Sequence, residues 1–252
     1  MKRTRLVFPL FFLALLSCSS PNPCRVPQNS SCTKVLFIGN SYTFVNDLPE
    51  MFAELAEAGQ HPVMVGSSAQ GGWSLAMHTQ SKDTVDLLNS TKWTYVILQE
   101  QSQIPSVETL RTQKMYPAAR TLVKQIRKKE ATPLFFLTWA HRTGWPAYGM
   151  NDYESMQERI DQGYEQIARE LNVSLVPVGY AWRNAIKQYP ELTLWQEDGS
   201  HPSEEGTYLA ACVFYATLFQ ESPVGISYWA DLPKETAARL QTSASDTVLG
   251  TH

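Results

Sequence analysis

The residue types best suited to chemistry are an aspartate and a histidine late in the chain and a serine early in it. Asp198 and His201 lie three residues apart in WQEDGSHPSEEG, just before a predicted helix. At that spacing the carboxylate can accept the Nδ1 proton of the imidazole from a compact turn, which leaves Nε2 facing a nucleophile. Ser41 ends a Gly-Asn-Ser triplet after a predicted strand, where the glycine permits a tight turn that exposes the hydroxyl. Together the three residues predict catalysis by a nucleophilic serine.

A serine nucleophile also requires hydrogen-bond donors for the negative charge that develops on the substrate oxygen. The backbone N–H of Ser41 is the first candidate donor. A glycine N–H from the segment SAQGGWS, which contains Gly71 and Gly72, is the second. The third is a side-chain amide from the segment QEQSQIP, which offers Gln99, Gln101 and Gln103.

The elements that must position these residues alternate along the chain. Predicted strands cover 34–39, 61–67, 94–99, 132–139 and 173–178, and predicted helices cover 48–59, 74–89, 107–129, 151–171, 179–189 and 203–219. The strands are apolar throughout rather than at alternate positions, which indicates burial on both faces in a parallel sheet covered by helices. The fold class predicted is therefore a doubly wound α/β sandwich. In such sheets ligands bind at the carboxyl ends of strands, where the candidate loops lie.

Composition and charge narrow the functional classes. The 252 residues are 43% hydrophobic, which is enough to bury one sizeable core, and the formal net charge is −3. The sequence has no long basic run beyond its first few residues, so we expect no nucleic-acid partner. It has no cluster of Cys and His at zinc spacing, no Walker loop and no dinucleotide fingerprint. We therefore expect neither a metal nor an organic cofactor.

The N-terminal segment MKRTRLVFPLFFLALLSCSS is typical of an export signal, because basic residues precede an apolar stretch too short to span a bilayer. Its Leu-Leu-Ser-Cys ending resembles the cleavage box of bacterial lipoproteins. We therefore expect a signal peptide over 1–17, a lipid on Cys18 and a tether over 18–33. The protein would then reside in a bacterial envelope and touch the membrane only through that anchor. Cleavage without lipidation is the alternative.

The other cysteines divide into two kinds. Cys24 and Cys32 lie eight residues apart in the predicted tether, and export permits a disulfide between them. Cys212 lies in an apolar helical pattern and is predicted to be buried as a small hydrophobic residue.

Three segments resemble the SGNH (GDSL-like) hydrolase superfamily, and within it an uncharacterised bacterial subfamily. They are FIGNSYTFVNDLP, LQEQS and DGSHPS, joined by FYATLF in the last predicted core helix. The resemblance covers 34–222, which we take as the hydrolase domain, with 223–252 as a C-terminal extension that carries a helix over 233–242. It implies a flavodoxin-like three-layer α/β/α sandwich with a five-stranded parallel sheet. It also implies an esterase with Ser41 as nucleophile, His201 as base, Asp198 as its orienting carboxylate and Gly72 as an oxyanion donor.

The third loop departs from the family pattern. The superfamily usually has Gly-x-Asn-Asp there, with the asparagine amide as oxyanion donor, whereas this chain reads QEQSQ over 99–103. A glutamine amide can donate the same bond from a side chain one methylene longer. We assign that role to Gln101, leave Gln103 open as the alternative, and expect Gln99 to point along the strand. Glu100 is expected to be an exposed loop carboxylate.

Further residues are candidate substrate contacts by their position at the same edge of the sheet. Asn40, Gln103 and His141 are the candidates for polar contacts with a substrate. Four aromatic residues either stack on a sugar or acyl group or belong to the core; they are Trp139, Trp145, Tyr148 and Trp195.

The function predicted is hydrolysis of carboxylic esters, above all acetyl esters on small molecules or glycans, through an acyl-serine intermediate. Because the third loop is atypical, a carbohydrate-binding protein without catalytic activity is one alternative. Acyl transfer to a polysaccharide on the same scaffold is another.

Overall fold

The computed structural model describes residues 32–250. The predicted signal peptide, the lipidation site Cys18 and the Cys24 end of the predicted disulfide lie outside the described residues. Within residues 32–250, no helix is both long enough and apolar enough to cross a bilayer.

Five parallel strands form one sheet in the order β2-β1-β3-β4-β5. They are β1 Thr33–Gly39, β2 Val63–Ala69, β3 Tyr95–Leu98, β4 Thr132–Phe136 and β5 Ser174–Val176. Helices cover both faces of the sheet, so the central strands are apolar throughout; Val35, Leu36, Phe37 and Ile38 of β1 are all fully buried. The predicted five-stranded parallel sheet of an α/β/α sandwich is confirmed.

Ten α-helices connect and cover the strands over the described range. They are α1 Ser41–Phe44, α2 Leu48–Ala58, α3 Leu75–His78, α4 Lys82–Ser90, α5 Glu108–Leu110, α6 Tyr116–Lys128, α7 Tyr153–Leu171, α8 Val178–Gln188, α9 Glu204–Phe219 and α10 Lys234–Leu249. Short 3-10 turns lie at Val45–Asp47, Ile104–Ser106 and Pro146–Tyr148, and a π-helical turn at Arg111–Met115 joins α5 to α6. Helices α2, α8, α9 and α10 pack together in one layer, and α3, α6 and α7 pack in the other.

The chain connections on the two sides of β1 run in opposite directions across the sheet. The chain passes from β1 to β2 on one side, and β3 then pairs with β1 on the other side. Connections that leave adjacent strands in opposite directions open a crevice at the carboxyl ends of those strands. The loops that begin at Asn40 and Gln99 therefore meet at this crevice.

Several predicted elements differ from the structure in their bounds, among them the following three. The helix predicted over 74–89 is two helices, because Ser81 accepts the N–H of Thr84 and caps α4 as a new start. Strand β4 ends at Phe136 rather than at 139, since the next residues leave the sheet toward an aromatic stack described below. Helix α10 continues to Leu249 rather than ending at 242.

The core is centred on α9, which is apolar on all sides. This helix contacts both α2 and α10 as well as the sheet, so the usual polar face is absent along most of its length. Cys212 lies within it and is fully buried, as predicted. The extension packs against the same helix through Ala237, Leu240 and Ala244, whose spacing of three and four places them on one face of α10.

Candidate active site

Ser41, His201 and Asp198 lie in one hydrogen-bonded line, although 160 residues separate the serine from the histidine. Ser41 Oγ is 2.9 Å from His201 Nε2. On the other side of the ring, His201 Nδ1 is 2.5 Å from Asp198 Oδ2. The aspartate thereby fixes the tautomer that keeps Nε2 available to accept a proton.

The turn that carries Asp198 and His201 is held by the aspartate itself. Asp198 Oδ1 accepts the backbone N–H groups of Ser200 at 2.9 Å and His201 at 3.0 Å, while Oδ2 receives the imidazole. Gly199 adopts φ +67°, a left-handed conformation that closes this turn without strain. Partial burial acts to raise the pKa of Asp198, but the hydrogen bonds from His201 and from the two backbone N–H groups outweigh it and lower the pKa. The carboxylate is therefore charged at neutral pH.

A stack of three aromatic rings supports that turn through hydrogen bonds to Ser200. Tyr42 stacks on Trp139 with ring centroids 4.5 Å apart, and Trp139 stacks on Trp182 at 4.1 Å. The Tyr42 hydroxyl is 2.8 Å from Ser200 Oγ, and Trp139 Nε1 donates to the Ser200 carbonyl at 3.0 Å. Because Trp139 is fully buried, it belongs to the core and not to a sugar-stacking surface.

The turn before Ser41 is held by Gln99, which does not point along its strand. Gln99 Oε1 accepts the Asn40 N–H at 2.8 Å and the Thr43 hydroxyl at 3.0 Å, and Gln99 Nε2 donates to Asn40 Oδ1 at 3.0 Å. A Cβ at Gly39 would lie 2.4 Å from Gln99 Oε1, so glycine is required where the two loops approach. The role of Gln99 was missed from the sequence, where its place at the end of a buried strand beside β1 was the available signal.

Asn40 also serves the local structure. Its Oδ1 accepts the N–H of Tyr42 at 3.1 Å as the N-cap of α1, and its Nδ2 donates to the Trp73 carbonyl at 2.8 Å. The side chain is 2% exposed. Asn40 therefore links the Ser41 turn to the glycine loop, and both of its polar side-chain atoms have protein partners.

The predicted donors surround one small cavity. Its volume is about 280 Å³, and its lining includes Ser41, Gly72, Gln101 and His201 together with Gln103 and His141. Gly72 adopts φ +73° on an exposed loop, and no described atom lies within 4 Å of the position that a Cβ would take. A substrate therefore has free access to the Gly72 backbone.

The amide of Gln101 is oriented by its own loop. Gln101 Oε1 accepts the backbone N–H of Gln103 at 2.9 Å and of Ile104 at 3.2 Å. Because the oxygen is committed to these donors, the NH₂ end must point the other way, where a long 3.4 Å contact to Ser102 Oγ is its hydrogen bond. This arrangement leaves the Gln101 amide with a donor to offer at the cavity.

His141 is another residue that lines the cavity. Its Nε2 is 3.4 Å from Ser102 Oγ. Burial lowers the pKa of His141; the charge of Asp198 opposes this shift and that of His201 adds to it. The ring is therefore neutral near pH 7 and presents either a donor or an acceptor to a bound group.

Glu100 is fully buried, and the expectation of an exposed loop carboxylate is wrong. Its Oε1 accepts the backbone N–H of Gln101 at 2.7 Å and of Leu75 at 3.1 Å. Loss of solvation raises the pKa of Glu100 to about 7, although these two hydrogen bonds and the charge of Lys114 act in the opposite direction.

A larger cavity lies at the opposite end of the strands, where β3, β4 and β5 begin. It has a volume of about 740 Å³, and Tyr95, Thr132 and Ser174 at the starts of β3, β4 and β5 line it together with parts of α8 and α10. The Ser41–His201–Asp198 line lies at the other end of the strands, so the larger cavity is separate from the candidate catalytic residues. In the part of the chain that the structure describes, no group of three or more His, Cys, Asp or Glu side chains is arranged to hold a metal ion.

Comparison with solved structures shows that other proteins have a similar fold. The chain is similar to a DUF4886 family protein from Bacteroides uniformis, with 23% identity, a TM-score of 0.75, and coverage of 87% of this chain and 95% of that one. It is also similar to a protein assigned to the SGNH hydrolases from Slackia heliotrinireducens, with 28% identity, a TM-score of 0.62, and coverage of 75% and 100%.

An acetyl-xylooligosaccharide esterase from Geobacillus is a third neighbour, with 17% identity, a TM-score of 0.57, and coverage of 73% of this chain and 93% of that one. No protein-family model and no curated protein matches the chain. The solved neighbours confirm the resemblance to SGNH hydrolases that the three sequence segments indicated.

Proposed function

We propose that this chain, which has the fold of the SGNH hydrolases, is a serine esterase that removes short acyl groups, above all acetyl, from carbohydrates. The observation that carries the proposal is the hydrogen-bonded line from Ser41 Oγ through His201 to Asp198, which borders a solvent-accessible cavity. The fold of its neighbours, which include acetyl xylan esterases, supports ester hydrolysis in general.

The reaction follows from the positions of the atoms. Ser41 Oγ attacks the ester carbonyl carbon while His201 Nε2 takes the hydroxyl proton, and Asp198 stabilises the imidazolium that forms. The carbonyl oxygen becomes negative and accepts hydrogen bonds from the backbone N–H groups of Ser41 and Gly72 and from the Gln101 amide. His201 then gives its proton to the leaving alcohol as the C–O bond breaks. Water, deprotonated by the same nitrogen, attacks the acyl-serine and releases the acid.

The size and polarity of the cavity favour a short acyl group. A volume of about 280 Å³ is at the low end for small-molecule sites. Every side chain that lines it carries a polar atom, so a long alkyl chain would leave polar groups without hydrogen-bond partners. Acetyl esters therefore fit better than long-chain lipids.

An aromatic pair at the same edge of the sheet favours a sugar as the alcohol part. Trp145 and Tyr148 lie on the loop after β4, a few residues beyond His141, with ring centroids 4.1 Å apart. Tyr148 is 46% exposed, although a ring of this size is usually covered. Exposed aromatic faces of this kind can cover the apolar face of a pyranose ring.

The test is an ester panel with wild type and Ser41→Ala. Wild type is expected to hydrolyse p-nitrophenyl acetate and acetylated xylo-oligosaccharides, with turnover falling steeply as the acyl chain lengthens. Ser41→Ala is expected to fold normally and to abolish turnover. Activity retained in Ser41→Ala would remove the nucleophile assignment, and a preference for long acyl chains would remove the acetyl assignment.

Two controls separate this proposal from the alternatives left open by the sequence. A fluorophosphonate probe should label Ser41 in wild type, whereas a protein that only binds carbohydrate would not react. Product analysis with unacetylated sugars in excess should give free acetate; transfer of the acetyl group to those sugars would indicate an acyltransferase instead.

A further inference from the structure

Glu100 is the buried titratable group beside the cavity for which the catalytic steps give no role. One of its oxygens, Oε1, accepts the N–H of Leu75 in the glycine loop segment and the N–H of Gln101 in the third loop. Resting on the proposed esterase function, we propose that Glu100 is a positioning residue that fixes the two oxyanion-donor loops relative to each other. Its ionised carboxylate would hold the Gly72 and Gln101 donors at the separation that the transition state requires.

The glycine loop has few other supports near the site. Gly72 has open space around its Cβ position, so packing does not hold it. The bonds that tie the following residues to the site run from Asn40 Nδ2 to the Trp73 carbonyl at 2.8 Å, from the Leu75 N–H to Glu100 at 3.1 Å and from His78 Nε2 to the Gly39 carbonyl at 2.8 Å. The bond to Glu100 joins this segment to the third loop, so its loss would loosen the segment that sets the position of the Gly72 N–H.

The third loop depends on the same carboxylate. The Gln101 N–H lies 2.7 Å from Glu100 Oε1, which is short for an N–H···O bond and consistent with a charged acceptor. This bond fixes the backbone of the residue whose side-chain amide faces the cavity. A single oxygen atom therefore joins the two segments that carry two of the three proposed donors.

A purely structural role does not explain a carboxylate at this place. Among residues 32–250 Glu100 Oε2 has no hydrogen-bond partner, and the side chain is fully buried. A buried charge without full pairing costs stability, and a neutral side chain of the same shape would avoid the cost. The charge therefore needs a functional reason, and the two N–H groups are the atoms that it contacts.

Glu100 changes its charge within the pH range used to assay the esterase activity. The hydrogen bonds from the Gln101 and Leu75 N–H groups and the charge of Lys114 lower its pKa, while the Tyr164 hydroxyl contacts the backbone, where its oxygen accepts the Glu100 N–H. Burial outweighs these effects and raises the pKa of Glu100 to about 7. The carboxylate is therefore ionised at pH 8.5 and protonated at pH 5.5, where its Oε1 becomes a weaker acceptor.

The experiment compares wild type with Glu100→Gln, which keeps the shape and the acceptor oxygen but lacks the charge. We measure kcat and KM for p-nitrophenyl acetate from pH 5.5 to 8.5 and follow the ratio of wild-type to variant kcat/KM. The ratio is expected to be roughly 10 at pH 8.5, since misplaced donors cost less than the 10²–10³-fold loss of one donor. It should fall toward 1 at pH 5.5, because protonated Glu100 resembles glutamine.

The kinetic parameters give a second readout. The loss at pH 8.5 should lie in kcat, with KM changed less than threefold, because the donors act on charge that develops only in the transition state. Glu108→Gln, at an exposed glutamate on the helix that follows the same loop, is the matched control and should give a ratio of 1 at every pH. A loss caused only by loosened structure would not disappear as the pH falls.

The outcomes separate this inference from the proposed function. If wild type is active, Ser41 reacts with the fluorophosphonate probe and the Glu100→Gln ratio is flat with pH or stays near 1, the positioning role is overturned and the esterase assignment stands. If wild type neither turns over esters nor labels at Ser41, the proposed function fails and the inference fails with it.

Discussion

Two carboxyl groups bond residues that line the cavity, and each uses one oxygen in the same way. Asp198 Oδ1 accepts two backbone N–H groups within its own turn, and Glu100 Oε1 accepts two backbone N–H groups from two different loops. The second oxygens differ. Asp198 Oδ2 bonds the imidazole of His201, whereas Glu100 Oε2 has no hydrogen-bond partner among the described residues.

Their surroundings give the two groups opposite titration behaviour. The Asp198 side chain is 46% exposed and its hydrogen bonds lower its pKa, while burial raises the pKa of Glu100 to about 7. Asp198 therefore stays charged at little cost and orients a base. Glu100 is charged only at the expense of stability, which is reasonable only if the charge does something for the loops it joins.

The largest expected effect is on the exposed carboxylate. Asp198→Asn keeps the shape of the turn but places an NH₂ or a neutral oxygen against His201 Nδ1, so the imidazole loses both its fixed tautomer and the partner for its positive charge. We expect kcat for p-nitrophenyl acetate to fall by about 10⁴, the loss typical of this change in Ser-His-Asp triads. A loss below tenfold would show that His201 does not depend on this carboxylate.

The next effect separates the two glutamines left open as oxyanion donors. Gln101→Ala removes the amide that faces the cavity and should lower kcat by roughly 10²–10³. Gln103→Ala, the matched control from the same loop, should cost less than tenfold, because we assign Gln103 no oxyanion bond. Steady-state kinetics with an acetyl ester decide between them, and the reverse ranking would move the donor role to Gln103.

The two carboxyl groups should also differ in how they make the stability of the protein depend on pH. The folded-state pKa of Glu100 lies above its ordinary value of 4.5, so the folded protein binds this proton more tightly than the unfolded chain does. Stability is therefore lost as pH rises from 4.5 through 7. At 1.36 kcal/mol for each pKa unit, the cost of the charge above pH 7 is roughly 3 kcal/mol.

Glu100→Gln does not carry this cost. In urea unfolding the variant should equal wild type near pH 4 and exceed it increasingly toward pH 8.5, by up to about 3 kcal/mol. Asp198→Asn should show no such gain, because its carboxylate is partly solvated and its pKa is lowered. A Glu100→Gln protein that is less stable than wild type at pH 8.5 would contradict the account of the buried charge.

Sequence patterns predicted the parts of the molecule that depend on local periodicity and fixed spacing. The five strands follow from apolar runs, and the hydrogen bond between Asp198 and His201 follows from a three-residue spacing within one turn. The contact of Ser41 with His201 depends on tertiary structure; it was predicted from the residue types and from the resemblance to SGNH hydrolases, because His201 lies between α8 and α9 and does not follow a strand.

The burial of Glu100 and the role of Gln99 could not be predicted in the same way. Both follow β3 in a polar segment, QEQSQ, whose composition is typical of an exposed loop. Their burial arises because Gly39, Leu75 and Tyr164 come from three distant parts of the chain and close over them. Polar residues packed by long-range contacts leave no periodic signal in the sequence.

The smallest effect concerns the aromatic stack that supports the Asp198 turn. Tyr42→Phe preserves the ring that stacks on Trp139 but removes the hydroxyl that lies 2.8 Å from Ser200 Oγ. Since Ser200 is half-buried, water can replace part of this bond, and stability should fall by about 1 kcal/mol. The turn would still be closed by Asp198 Oδ1, so kcat should fall only a few-fold with KM unchanged. A loss as large as that of Asp198→Asn would show that the aromatic stack, and not the carboxylate, sets the position of His201.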